Sequence, residues 1–191
     1  MRRTMICSLI AMPLALAAGY GHAEFVPAPC DVITTVNGWV FGDSPRDPTK
    51  SQEPKKVDFN LSVECKAGAL SGQLSGRDHR TNDSLTSTRI TGHLMDPAVP
   101  KAREICGEGL VNDVAPVRFR ARVEDNGEPG GLDRFGIRLS DGYYLPTREL
   151  GHPGINGGGG NVRFVQNPDP SATGLSPAQS EAEMCGDLKS P

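Results

Sequence analysis

The chain has 191 residues, of which 37% are hydrophobic and 5% aromatic, and it carries 23 glycines and 16 prolines. A formal charge of −3 leaves no basic footprint for nucleic acid, and the glycine, proline and low aromatic content favour a β-rich chain with many turns over a helical bundle. Beyond Ala23 no segment is apolar enough to cross a bilayer as a helix.

The N-terminus reads as a secretory signal over residues 1–23. Arg2 and Arg3 open it, Ile6 to Ala18 form an apolar run, and Gly21-His22-Ala23 sets small residues at the −3 and −1 positions before Glu24. The mature protein is therefore expected in the periplasm or outside the cell. Gly38 to Phe41 is a weak strand candidate, followed by an exposed loop from Asp43 to Lys56 with Pro45, Pro48 and Pro54. From Val57 to Cys65 every odd position is apolar or cysteine and every even one polar, the pattern of a strand with one face in a core and one in water. Weaker strands are expected at 69–75, 87–94 and 105–111, with Asp96 to Pro100 as a loop. Val117 to Val123 alternates again, its even positions being Arg118, Arg120 and Arg122. Phe135 to Leu139 alternates too, Asp141-Gly142 is a hairpin pair, and 143–146 and 161–165 close the series. No stretch sustains a 3.6-residue apolar period. These elements predict one all-β domain over residues 24–166, an antiparallel β-sandwich or flattened barrel. A Pro- and Ser-rich tail, residues 167–191, is expected to hold little structure beyond what Cys185 fixes.

Cys7 leaves with the signal, so Cys30, Cys65, Cys106 and Cys185 remain. In an exported chain four cysteines most simply form two disulfides. No pair has the CxxC spacing of a zinc site. Three connectivities are open; the reading favoured here ties the two ends by Cys30–Cys185 and two strands by Cys65–Cys106.

Three regions carry candidate chemistry. Asp125, Asn126, Glu128 and Asp133 offer the oxygen ligands that calcium takes, although the EF-hand pattern is absent and Asp-Asn-Gly-Glu-Pro-Gly is also strong turn chemistry. Arg118, Arg120 and Arg122 share one strand face and make a possible ligand surface for an anionic polysaccharide or acidic partner, the alternative being a solvated face balanced by Glu124 and Asp133. Asp78-His79 is the single His next to a carboxylate, but no GxSxG or HExxH accompanies it. Of the aromatics, Trp39 beside Gly38 is expected in the core, while adjacent Tyr143 and Tyr144 must point to opposite faces of a strand.

The order of several short motifs resembles a bacterial exported module, the post-COAP-1 domain. The matching residues are Val36-Asn37-Gly38-Trp39, Val57 to Val63, Gly72-Gln73-Leu74 with Asp78-His79, Ser87-Thr88-Arg89-Ile90-Thr91-Gly92, and Ile105-x-Gly107-x-Gly109-x-Val111-Asn112. The most specific are Asp125-Asn126-Gly127-Glu128-Pro129-Gly130 and Asp133-x-Phe135-x-Ile137-x-Leu139-Ser140-x-Gly142-Tyr143, followed by Leu150 and Gly158-Gly159-Gly160-Asn161-Val162. The resemblance spans about Val36 to Val165, with Gly38 standing for a glycine triplet and inserts at Asp43 to Pro54 and Gly151 to Gly157. It implies a small exported all-β domain and supplies no catalytic residue. The expected function is a non-enzymatic binding or surface-interaction module for an extracellular or envelope ligand, protein or polysaccharide. Calcium is a possible stabiliser. The alternative is a secreted hydrolase around Asp78-His79.

Overall fold

The structure, a computed structural model, describes residues 25–28, 31–42, 55–66, 69–128, 130, 132–151, 159–166 and 180–191. The signal segment, the loop from Asp43, most of the tail, Cys30 and His152 lie outside these residues, as do the side chain of Cys65 and two positions of the acidic loop, Pro129 and Gly131.

Each alternating run becomes a strand. In chain order the strands are β1 (Val26–Pro27), β2 (Asp31–Val36), β3 (Gly38–Gly42), β4 (Lys55–Lys66), β5 (Ala69–Asp78), β6 (Asp83–Asp96), β7 (Val99–Val111), β8 (Ala115–Glu124), β9 (Arg134–Leu139), β10 (Tyr144–Glu149) and β11 (Asn161–Gln166). Among the described residues one short helix, α1 (Glu181–Cys185), follows. The strands form a single curled antiparallel sheet in the order β10-β9-β8-β7-β6-β5-β4-β2-β11, with β3 beside β4 and β1 beside β6. The expected flattened barrel is thus a half-barrel, nearly all β.

Two sequence expectations shift. The loop expected at Asp96 to Pro100 is a tight turn between the long strands β6 and β7: Asp96 pairs with Val99, and the Asp96 carboxylate accepts from the Ala98 amide at 2.9 Å. Strand β2 has no clean alternation, and it forms because β4 and β11 flank it. With β3 it makes one bent strand along β4, broken at Asn37, whose φ of 49° reaches the left-handed region that asparagine tolerates.

The concave face holds the core: Ile33, Val40, Phe59, Leu61, Val63, Leu74, Ile105, Phe119, Val123, Phe135 and Leu145 are all essentially buried. Phe59 on β4 stacks on Phe135 of β9 with ring centroids 3.7 Å apart and planes 9° from parallel, so two distant strands of the sheet meet across the interior. Gly38 makes room for this stack, because a Cβ there would lie 2.5 Å from the Phe59 ring.

The sheet ends meet without a continuous ladder. Val40 bridges Gly151, the Gly151 amide donates to Trp39 O at 2.8 Å, and the Trp39 amide donates to Gly159 O at 2.9 Å. Arg148 of β10 reaches Phe41 O at 3.3 Å.

The described end of the tail is the part around Cys185. Residues 180–191 strap the convex face of β6, β7 and β8. Ser180 and Glu183 close α1 with a reciprocal capping box, and Met184 and Cys185 are buried with Leu94 and Cys106, Phe25 packing alongside. Gly92 is the floor of this seat, since a Cβ there would meet the Met184 side chain at 2.4 Å. Thr91 donates to Met184 O at 2.7 Å, and Thr147 to Pro191 O at 3.0 Å.

The strap also corrects the disulfide pairing: Cys106 is bonded to Cys185, not to Cys65, and Cys185 is therefore not tied to Cys30. Strands β4 and β7 are separated by β5 and β6. At roughly 4.8 Å per strand, Cys65 and Cys106 are spaced far beyond the Cα separation a disulfide spans.

Candidate functional site

The acidic loop from Asp125 to Asp133 uses its carboxylates on backbone. Asp133 is fully buried; it accepts from the Asn126 amide at 2.8 Å and from the Val162 amide at 2.8 Å. Asp125 accepts from Gly127 at 3.2 Å and from Phe164 at 2.9 Å. Asn126 donates its side-chain amide to Leu132 O at 2.9 Å, and Glu128 accepts from Asn161 Nδ2 at 2.9 Å. Val162 and Phe164 are alternate residues of β11, whose other edge pairs with β2. The two aspartates therefore stand where a neighbouring strand's carbonyls would be. Burial pushes the Asp133 carboxyl above its usual range, against the two amide bonds that favour its anion, and the charges of Asp125 and Glu128 add to the rise. Among the described residues no group of three or more His, Cys, Asp or Glu converges on a metal position. We expect Asp133→Ala to lose about 1–3 kcal/mol, the cost of a buried donor left unmet, read by urea unfolding. Millimolar calcium is expected to leave the melting temperature of the parent protein where EDTA leaves it.

The arginine row is not a free face. Arg120 is 1% exposed, bonded through Nε to Glu104, through Nη1 to Glu181 at 2.6 Å and to Leu188 O at 2.8 Å. Arg122 is buried against Glu124 at 2.9 Å, Asp96 at 3.0 Å and Glu104 at 3.2 Å. Arg118, half-exposed, meets Asp187 of the strap at 2.5 Å. In the structure Arg118 and Arg120 seat the strap, while Arg122 is held by Glu124, Asp96 and Glu104. Acidic partners on β6, β7 and the tail were not visible as neighbours in the sequence, because strand register and the docking of the strap bring them together.

The Asp78-His79 pair also separates. Asp78 ends β5 facing inward, 5% exposed, accepting from Arg80 N at 2.8 Å and Tyr143 OH at 3.1 Å. His79 faces outward, its Nε2 at 2.5 Å from Asp58 Oδ2. Among the described residues no hydroxyl or thiol is hydrogen-bonded to the His79 ring, so a His–acid pair stands without a nucleophile. An apolar cavity of about 40 Å³ lies beside Asp78, room for little more than water or a small alkyl group.

The convex face of β3 to β6 is different. Register places Trp39 beside Asp58, Asp58 beside Arg77, and Arg77 beside Ser84. A second row holds Phe41 and Lys56, with His79 joined to it by its amide bond to Lys56 O at 3.0 Å. A third holds Asn60, Ser75 and Thr86. Their neighbours in sequence, Gly38, Val40, Val57, Phe59, Leu74 and Leu85, are buried inside, so strand alternation sends these side chains outward.

Trp39 is thus half-buried on the outside rather than in the core as expected. It meets Phe41 edge-on, centroids 5.2 Å apart, and Lys56 Nζ lies 5.3 Å from its ring centroid. Lys56 also pairs with Asp58 at 2.7 Å. Burial works to raise the Asp58 carboxyl, but hydrogen bonds from Lys56 and His79 outweigh it and hold it below its usual range. Arg77 donates to Asn82 Oδ1 at 2.5 Å. A shallow depression of about 250 Å³ runs over Asp58, Asn60, Ser75, Arg77, Ser84 and Thr86. The platform therefore offers an aromatic ring beside a charged and hydroxylated hollow. Sequence reasoning missed it because its members come from four strands whose register no motif reveals. Tyr143, just before β10, is buried, whereas Tyr144, its first residue, lies half-exposed under Arg138, 4.3 Å from its ring centroid.

No family model matches this chain, and no curated protein or solved structure matches it.

Proposed function

We propose that the protein is an exported, non-enzymatic binding module that recognises polysaccharide through the convex platform of β3 to β6. The observation that carries this reading is the cross-strand row of Trp39, Asp58, Arg77 and Ser84, bordering the shallow hollow. A sugar ring presents an apolar CH face and a rim of hydroxyls. An indole can take the first, and carboxylate, guanidinium, amide and hydroxyl groups the second. Few well-placed polar groups beside an aromatic surface are the usual composition of a small-ligand site. Export is part of the proposal. It is supported by the order of charge, apolar run and small residues at the N-terminus and by the Cys106–Cys185 bond, which fits an oxidising compartment.

Trp39 is the single tryptophan of the chain, so its fluorescence reports on the platform alone. The test titrates the oxidised protein with soluble oligosaccharides and cosediments it with insoluble glucan, chitin, xylan and peptidoglycan. The expected result is a saturable change in Trp39 emission with one of them, and at least a tenfold loss of retention in Trp39→Ala, about 1.4 kcal/mol. Failure to bind any of these glycans, or equal retention by Trp39→Ala, would overturn the reading.

A further inference from the structure

We propose that the convex face of β6 to β8 is a docking groove for a C-terminal segment of this chain, and that a second copy can supply that segment in place of the chain's own. The strap has the character of a bound peptide ligand. It adds no strand to the sheet, so its departure leaves every ladder closed. It begins with its own capping box, so its short helix starts without help from the body. Its contacts are complementary in charge: Glu181 and Asp187 meet Arg120 and Arg118, and Leu188 O and Pro191 O accept from Arg120 and Thr147. Met184 fills the space left by Gly92, and Ser190 donates to buried Glu104.

Its covalent tie is one exchangeable bond, Cys106–Cys185. Residues 167–179 join the strap to β11, and at about 3.4 Å per residue they can reach roughly 45 Å, enough to cross to a neighbouring molecule. The contacts of a docked strap are the same whichever copy donates it. Only effective concentration separates the two arrangements, and a linker of so few residues puts that on the order of millimolar. Reciprocal donation would be a domain-swapped pair of two-fold symmetry. The covalent step is a thiol–disulfide exchange. Cys106 of one chain and Cys185 of another lose two protons and two electrons to one glutathione disulfide, which leaves as two glutathione thiols.

The experiment mixes native protein labelled with ¹⁵N and unlabelled protein, near millimolar, in a reduced and oxidised glutathione buffer, then quenches with acid and maps the disulfide-linked peptides. The expected result is a dimer fraction that rises with concentration and contains the Cys106–Cys185 peptide with one labelled and one unlabelled half. In parallel, Cys106→Ser protein mixed with Cys185→Ser protein should form a disulfide-linked heterodimer through the remaining Cys185 and Cys106, and neither variant alone should give that peptide. If the linked peptides from the native mixture are never of mixed label, the strap docks only on its own chain and the proposal falls. Mixed linkages spread over all cysteines, without preference for Cys106–Cys185, would equally overturn it.

Discussion

Glu104→Ala is expected to destabilise the fold by about 3–5 kcal/mol, the cost of removing one partner from a buried ion network. Glu104 has no solvent exposure. Its two oxygens are shared among Arg120, Arg122 and Ser190. Without it Arg120 keeps one carboxylate, Glu181 of the strap, while its guanidinium remains buried. The loss should come mostly from that stranded charge, not from the attraction forfeited. Glu104→Ala combined with Arg120→Ala should therefore cost clearly less than the sum of the two single changes, a coupling of more than about 1 kcal/mol between contacting groups. Urea unfolding of the four proteins measures it. Additive losses would mean that the two residues act independently. Limited proteolysis of Glu104→Ala should cut the strap sooner than in the parent, because the Glu181 and Leu188 O contacts of the strap run through Arg120 and that of Ser190 through Glu104 itself.

A second large effect is expected from acid. His93 has no solvent exposure and sits on the inner face among Asp31 of β2 and Arg103 of β7. Its Nε2 lies 3.2 Å from Asp31 Oδ1, while Arg103 binds the other oxygen of Asp31 at 2.7 and 3.0 Å. Burial lowers the His93 pKa from 6.5 to about 4; Asp31 opposes the fall and Arg103 reinforces it. The folded chain therefore resists taking up a proton that the unfolded chain accepts near pH 6.5. Stability conferred by neutral His93 is complete above that pH, declines as the pH falls through about 6.5 to 4, and does not decline further below. The loss over the window amounts to about 3 kcal/mol. Urea midpoints at pH 7, 5.5 and 4.5 should fall more steeply for the parent than for His93→Gln, with other carboxylates contributing equally to both. Parallel slopes would refute the assignment.

The fold was legible where alternation was clean. Val57 to Cys65, Val117 to Val123 and Phe135 to Leu139 each became a strand because a period of two can be satisfied in only one way against a core. What alternation does not say is which of the two faces meets water. Arg118, Arg120 and Arg122 occupy the face opposite the core, as their spacing predicts. Arg120 is buried under a strap that arrives from beyond residue 179, through contacts 61 and 68 positions away in sequence, and Arg118 meets the same strap 69 positions away. The same blindness affected Cys106, whose partner lies in a segment that composition marks as unstructured. Trp39 was misplaced for a related reason. Its bulk argues for the interior, but Val40 and Gly38 already hold the inward positions of β3, and the pleat leaves Trp39 no choice. The acidic loop shows the opposite case: its turn chemistry was plain from Asp-Asn-Gly, and only the identity of the amides it serves required coordinates.

Those amides belong to the last strand of the sheet, and an outermost strand is a hazard for any protein that must stay dissolved. Unmet N–H groups along such a strand invite a strand from another molecule, and repeated pairing of this kind builds fibres. On β11 the donors of Val162 and Phe164 are held by the Asp133 and Asp125 carboxylates, which accept them. A foreign strand approaching that border finds its donors taken and meets negative charge where it would need carbonyl oxygens. The acidic turn thus guards the molecule against polymerising through its own sheet.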